Sequence, residues 1–168
     1  MSPARPATTL PVSPALPRVA AALREAGVAV LVAPPGSGKT TLVPHAQLSE
    51  VTGRIVVAQP RRIAARAAAR GIARLLGEPV GETVGYAVRG ERRSGPRTRI
   101  EVVTTGLQVR RLQHDPELPG TAVVILDEVH ERHLDADLAL AFTIDARSAL
   151  RPDLRVLAMS ATPRAEGG

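Results

Sequence analysis

Ala33-Pro34-Pro35-Gly36-Ser37-Gly38-Lys39-Thr40, entered from the apolar run Val28 to Val32, is the stretch that decides the fold. Glycines at 36 and 38 let backbone N–H groups turn inward around phosphate oxygens, and a helix starting near Gly38 adds its positive pole. Strand, loop and helix in this order make a phosphate-binding loop, so a nucleoside triphosphate is the first ligand to consider. Pro35, Gly36, Ser37, Gly38, Lys39, Thr40 and Thr41 form the expected nucleotide-binding set. Lys39 should reach the β- and γ-phosphates, and the Thr40 hydroxyl is placed for Mg²⁺. Thr41 reads mainly as a helix residue. Ala33 replaces the glycine usual at the first position, on the strand side of the turn.

The complement of the loop is Asp127-Glu128, which follows Val123-Val124-Ile125-Leu126. A strand so placed projects its carboxylate at the C-terminal edge of the sheet, where open α/β sheets bind their ligands. The expected Mg²⁺ ligands are Thr40 and Asp127, the latter partly through water. Glu128 is the candidate to orient or deprotonate the attacking water. The expected catalytic group is therefore Lys39, Asp127, Glu128 and His130, with His130 linking the γ-phosphate state to another motif. His130, Glu131 and His133 do not form HExxH or another recognisable zinc spacing, so a structural zinc site is set aside. His133 reads as a polar loop residue.

Outward from these motifs the chain alternates strands and helices. Helices are expected from Arg18 to Gly27, from Gly38 to about Glu50 despite Pro44, from Arg61 to Leu76, from Gly106 to Gln113 and from Asp135 to Leu150. Strands are expected over 28–32, 54–59, 82–89, 99–104, 122–126 and 155–159, with Gly90 to Pro96 as a polar turn. Several strands are continuous apolar runs, as in a parallel sheet covered on both faces. The fold class is α/β, an open three-layer α/β/α domain with a mostly parallel sheet. Prolines at 3, 6, 11, 14 and 17 set residues 1–16 apart as a proline-rich segment, its first ten residues disordered. The domain is expected to span 17–163, with 164–168 a loose end.

The 168 residues carry 22 Lys and Arg against 16 Asp and Glu, and the arginine excess falls largely between Arg61 and Arg111. That favours a polyanionic partner, although an arginine-rich coding bias gives the same total. One Tyr, one Phe and no Trp nearly exclude aromatic base-stacking platforms. The chain has no cysteine, which excludes a disulfide framework and a thiolate nucleophile. Neither a signal peptide nor a membrane span is read, so a cytoplasmic protein is the default.

Ala33 to Thr40, Gln59-Pro60-Arg61-Arg62, Thr104-Thr105-Gly106, Asp127-Glu128-Val129-His130-Glu131-Arg132 and Ser160-Ala161-Thr162 together resemble the first motor domain of a DEAH-type superfamily 2 helicase. Gly85 to Arg92 and Asp115 to Gly120 resemble the bacterial HrpB-type members of that group. The likeness covers residues 10 to 163. It implies a RecA-like P-loop NTPase fold, ATP and Mg²⁺ as ligands, and single-stranded nucleic acid, with RNA chosen over DNA on resemblance alone. It implies nucleic-acid contact at Pro60, Arg61, Arg62, Thr104, Thr105 and Gly106, with Gln59 in the same segment. Arginine bridging phosphates, and small residues allowing close backbone approach, agree with a sequence-independent grip. Ser160, Ala161 and Thr162 are the coupling residues, with Ser160 and Thr162 hydrogen-bonding across to the 127–130 loop.

The chain departs from the family at three positions. His133 replaces a common Ser, Gln108 an aliphatic residue, and Gly71 an Arg that packs over adenine. Arg70 beside it is turned by about 100° on the helix. The chain ends six residues after Thr162. A fragment lacking the second RecA-like domain is therefore expected, a monomer with weak or no unwinding. Arginine fingers of that second domain are worth roughly 10³ to 10⁵ in turnover. The alternatives are a nucleotide-dependent nucleic-acid-binding module without effective hydrolysis, and a folded remnant.

Overall fold

Seven strands make one sheet: β1 (Val28–Val32), β2 (Arg54–Gln59), β3 (Val84–Val88), β4 (Glu91–Arg93), β5 (Ile100–Thr104), β6 (Thr121–Leu126) and β7 (Arg155–Ser160). The computed structural model describes residues 10–131 and 133–161. Strand order is β1-β7-β6-β2-β5-β3-β4, parallel throughout except for the antiparallel β3–β4 pair. The helices are α1 (Leu16–Ala26), α2 (Lys39–Gln47), α3 (Arg62–Leu75), α4 (Thr105–His114) and α5 (Leu134–Ala149).

The apolar runs follow from burial on two faces. Ile55, Val57, Val123 and Ile125 pack with α1, α2 and α3, whereas Val56, Ala58, Val124 and Leu126 pack with α4 and α5. Successive residues of β2 and β6 thus feed opposite cores, which removes the polar alternation of a one-sided strand. β1 differs because it is an edge. Its Leu31 is buried, but Val30 is 70% and Val32 53% exposed on the other face. Three layers, a largely parallel sheet and a loop leaving the first strand give a RecA-like fold. Among the described residues no helix is long and apolar enough to cross a membrane.

Gly27 ends α1 at φ +77°, its N–H donating to Leu23 O, a conformation that glycine adopts without the Cβ penalty. α2 stops at Gln47 instead of about Glu50. The physical reason is Arg99, whose guanidinium donates to the carbonyls of Leu48, Val51 and Gly53 at 3.2, 2.6 and 3.2 Å and holds the chain in a turn.

The polar turn expected over Gly90 to Pro96 contains a strand, β4. Its three residues are all charged and exposed, so no hydrophobic pattern reveals it. Pairing with β3 creates it, through a tight turn at Gly90 (φ +78°) and a Glu91 carboxylate that accepts from Tyr86 Oη and Arg66. Those partners hold the Glu91 carboxyl below its usual range, the Tyr86 hydrogen bond first.

Packing reaches back to Val12, 2% exposed, whose N–H donates to Ser37 O at 3.0 Å. Of the ten residues expected to be disordered, 1–9 lie outside the described residues, as do 162–168.

Two of the buried polar side chains are held on different terms. Glu101, 2% exposed, is paired with Arg111 at 2.5 Å. Gln108 is 1% exposed and neither polar atom of its side chain has a partner among the described residues. An apolar residue avoids that desolvation, so Gln108→Leu should stabilise the fold by about 1 to 2 kcal/mol. Thermal unfolding checks this; an unchanged or lowered midpoint would mean that the amide is satisfied in solution.

Candidate nucleotide site and nucleic-acid face

The loop after β1 crosses the sheet edge with Gly36 at φ +75° and Gly38 at φ +93°. A Cβ on Gly38 would stand 2.9 Å from Leu10 Cδ1, so glycine there meets both the backbone and the packing demand. Ser37 is 2% exposed and its hydroxyl has no partner among the described residues. Pro35 and Gly36 are exposed, Thr40 and Thr41 half-buried. Thr41 donates to Gly38 O at 3.4 Å, inside its own helix.

Lys39, at the start of α2, is 4% exposed, and its Nζ is 3.7 Å from Glu128 Oε1. Thr40 Oγ1 donates to Asp127 Oδ2 at 2.9 Å. Asp127 itself is 4% exposed and takes further hydrogen bonds from Gln59 Nε2 and from the Glu128 N–H. Burial pushes its carboxyl above the usual aspartate range, with Glu128 adding to the rise and Thr40, Lys39 and Gln59 opposing it. The structure therefore brings Lys39, Thr40, Asp127 and Glu128 together although 87 positions separate Thr40 from Asp127.

Glu128 has φ +61°, a left-handed backbone that costs about 1 to 2 kcal/mol in a non-glycine residue. The turn bends the chain so that Glu128 Oε2 meets His130 Nε2 at 3.2 Å. His130 Nδ1 accepts the Ala161 N–H at 3.1 Å, which puts the ring proton on Nε2, facing the carboxylate. The Val129 N–H donates to Met159 O at 3.1 Å. The end of β7 is thus stitched to the acidic loop by backbone groups. Ser160 does not cross over as expected: its hydroxyl donates to Ala161 O at 3.3 Å. Thr162 lies outside the described residues.

Gln59 belongs elsewhere than expected. It is 3% exposed and bound to Asp127, because β2 and β6 are neighbours and Asp127 N donates to Ala58 O. A buried glutamine closing an apolar strand was the only signal in the sequence. Pro60, Arg61 and Arg62 follow at the head of α3, both arginines exposed. Arg61 is paired with Glu131 at 2.9 Å, and Arg62 has no partner among the described residues. Thr104 Oγ1 accepts from Leu107 N at 3.4 Å as the cap of α4; Thr105 is buried and Gly106 half-buried. Gly71 sits against α2, where a Cβ would be 2.8 Å from Thr41 Cγ2.

Glu128, His130 and Glu131 offer ligand atoms within 4.8 Å of one another. Lys39 and Arg61 already answer the two carboxylates, so a further cation meets little uncompensated charge. A cavity of about 470 Å³ opens beside Thr40, Gln59, Glu128 and Glu131. A larger hollow, about 830 Å³, lies at the other end of the sheet, where Arg99 and Arg151 are spent on loop carbonyls. Thr40 and Glu128, two of the expected site residues, line the smaller one.

Residues 16–167 match the DEAD/DEAH box helicase family model. The chain is 49% identical over 157 residues to the ATP-dependent RNA helicase HrpB of Escherichia coli K12, covering 92% of this chain and 19% of that protein. It is 37% identical over 158 residues to the probable ATP-dependent RNA helicase DHX34 of Homo sapiens, covering 94% and 14%. A crystal structure of E. coli DEAH/RHA helicase HrpB superposes with a TM-score of 0.88 at 49% identity, over 92% of this chain and 20% of that one. Another, of E. coli DExH-box NTPase HrpB, gives 0.89 at 48% identity, over 97% and 20%. The chain thus spans about a fifth of the length of these HrpB proteins. With a family model matching nearly its whole length, and a fold and sequence this close to solved members, the chain belongs to the DEAD/DEAH box helicases.

Proposed function

We propose that this chain binds ATP with Mg²⁺ in the 33–40 loop and couples hydrolysis to its grip on single-stranded RNA, as the N-terminal motor domain of a two-domain RNA helicase. The observation that carries this is the convergence of buried Lys39 and Asp127 and half-buried Thr40 and Glu128 on the loop with the Ser37 hydroxyl, unpaired among the described residues. A buried lysine and an unpaired hydroxyl inside a glycine-turned loop fit a phosphate chain. Thr40 and Asp127, oxygen beside oxygen, fit Mg²⁺, which when bound supplies charge neutralisation for phosphoryl transfer. Lys39 binds phosphate, Glu128 orients the attacking water, and His130 passes the state of the site to β7 through Ala161.

Pro60, Arg61, Arg62, Thr105 and Gly106 form the nucleic-acid face, with Thr104 shaping it from the α4 cap. Residues 17–163 constitute the motor domain, a second RecA-like domain is its partner, and the protein works as a cytoplasmic monomer. A second reading, a binding module without effective hydrolysis, draws support from Glu128: Lys39 and His130 hold its two oxygens, so in this state it is not free to take a proton.

The test is ATP turnover by the chain with and without single-stranded RNA. RNA-stimulated turnover supports the enzyme; ATP binding with no turnover supports the module. Unwinding of a tailed duplex by the chain alone would refute the need for a second domain. Changing Arg61 and Arg62 together to Ala should weaken RNA binding across sequences and reduce the salt slope by up to about two phosphate contacts. An unchanged slope would move both arginines off the phosphate path.

A further inference from the structure

A cavity of about 200 Å³ lies where β2 and β6 begin and α4 ends, at the opposite end of the parallel sheet from the 33–40 loop. Gln108 lines it. That side chain is 1% exposed, and both its amide oxygen and its amide nitrogen lack a partner among the described residues. A buried polar atom left unpaired costs its full desolvation penalty, and here one side chain leaves two. Native interiors hold few such atoms, so each asks for the partner that satisfies it.

The remaining lining narrows the choice of partner. Val56, Leu118 and Pro119 give the cavity apolar wall. Arg111 lines it too, but its guanidinium holds the buried Glu101 through two hydrogen bonds, at 2.5 and 3.3 Å, so its charge is answered. Arg54, His114 and Asp115 are exposed, where water screens their charges. The buried unpaired groups are therefore one donor and one acceptor on a single planar amide, beside apolar surface. A charged ligand finds no buried counter-ion here. The volume also falls below the roughly 300 to 1,000 Å³ of sites for drug-sized ligands, so the occupant is small.

The complement of a primary amide is another planar edge with an N–H beside an acceptor, which closes both hydrogen bonds at once. Carboxamides carry such an edge, and so do nucleobases. We propose that Gln108 presents its amide to this cavity and binds a small, uncharged, planar molecule with that edge, a carboxamide or a nucleobase. The site shares no residue with the ATP and RNA contacts above and does not rest on them. Ordered water satisfies an amide as well. Water, however, predicts no response to an added ligand and no choice between molecules of the same shape.

The test titrates the full chain with benzamide, uracil and acetophenone, read by the unfolding midpoint and by NMR. Benzamide should bind and raise the midpoint. Acetophenone, the same shape with a methyl in place of the NH₂, should bind about tenfold more weakly, because it leaves the Gln108 oxygen unpaired. Uracil binding at least as tightly as benzamide supports a nucleobase as the ligand; benzamide binding the tighter supports a carboxamide. Gln108→Met, close to an isostere, should weaken both amide compounds by about tenfold and erase the preference over acetophenone. Gln108→Leu should do the same while raising the midpoint of the ligand-free protein, so that the loss of binding is not a loss of fold. No binding of benzamide or uracil by the wild type, equal binding of benzamide and acetophenone, or wild-type binding by Gln108→Met would each overturn the site and leave the amide to water.

Discussion

Glu128→Gln is expected to cut ATP turnover by about 10²- to 10³-fold, the loss typical of a removed general base. ATP affinity should stay within about fivefold, because the only pair broken is a long, partly solvated one. Glutamine keeps the shape of the side chain and can still meet His130 Nε2–H through its amide oxygen, but it cannot take a proton. It also releases Lys39, whose Nζ lies 3.7 Å from the carboxylate in the present state. A freed Lys39 is available to phosphate, so binding survives while chemistry fails. Turnover and ATP titration on the same preparations check the separation. Wild-type turnover in the variant would remove Glu128 from the chemistry.

Lys39→Ala should act at the other step, lowering ATP affinity by about 10²-fold, the weight of charge-assisted hydrogen bonds to phosphate. Lys39 is 4% exposed, so its ammonium is held in a slot where water cannot stand in for it. Its loss also leaves Asp127 and Glu128 facing the incoming phosphates without their cation, which adds repulsion to the missing contacts. Titration with a non-hydrolysable ATP analogue, on protein shown to be folded, measures the effect. Affinity within about threefold of wild type would place the phosphates elsewhere, since one charge-assisted hydrogen bond alone is worth more than that.

The two variants separate because their residues come from different parts of the chain and meet only on folding. Each half of the site was legible by itself. The 33–40 loop announces itself through local geometry, glycines where φ is positive and lysine at the head of a helix. Asp127-Glu128 shows through its place at the end of an apolar strand. The positions of the regular elements were also legible, since a doubly buried strand must be apolar throughout and a helix between such strands must carry an apolar stripe.

β4 was hidden because pairing with β3, not its own charged residues, creates it. Gln59 was misplaced for a similar reason: the segment Gln59 to Arg62 reads as one unit along the chain, yet its first residue is buried against Asp127 while Arg61 and Arg62 face solvent. Ser160 sits in a recognisable tripeptide, but its bond partner depends on a rotamer and on the path of the neighbouring loop, neither of which residue type dictates.

By itself the sequence determined what is local: the glycine-turned loop after β1, the acids at the end of a buried strand, the order of strands and helices, and the likeness to the DEAH group. These follow from backbone dihedral preference and from burial periodicity, which act over a few residues. Only the tertiary structure decided the order β1-β7-β6-β2-β5-β3-β4, and with it which strand ends become neighbours. That order places Gln59 on Asp127, His130 under Ala161 and Asp135 over Gly106. Such contacts join residues tens of positions apart, and chain connectivity leaves them open until the whole sheet has closed its two cores.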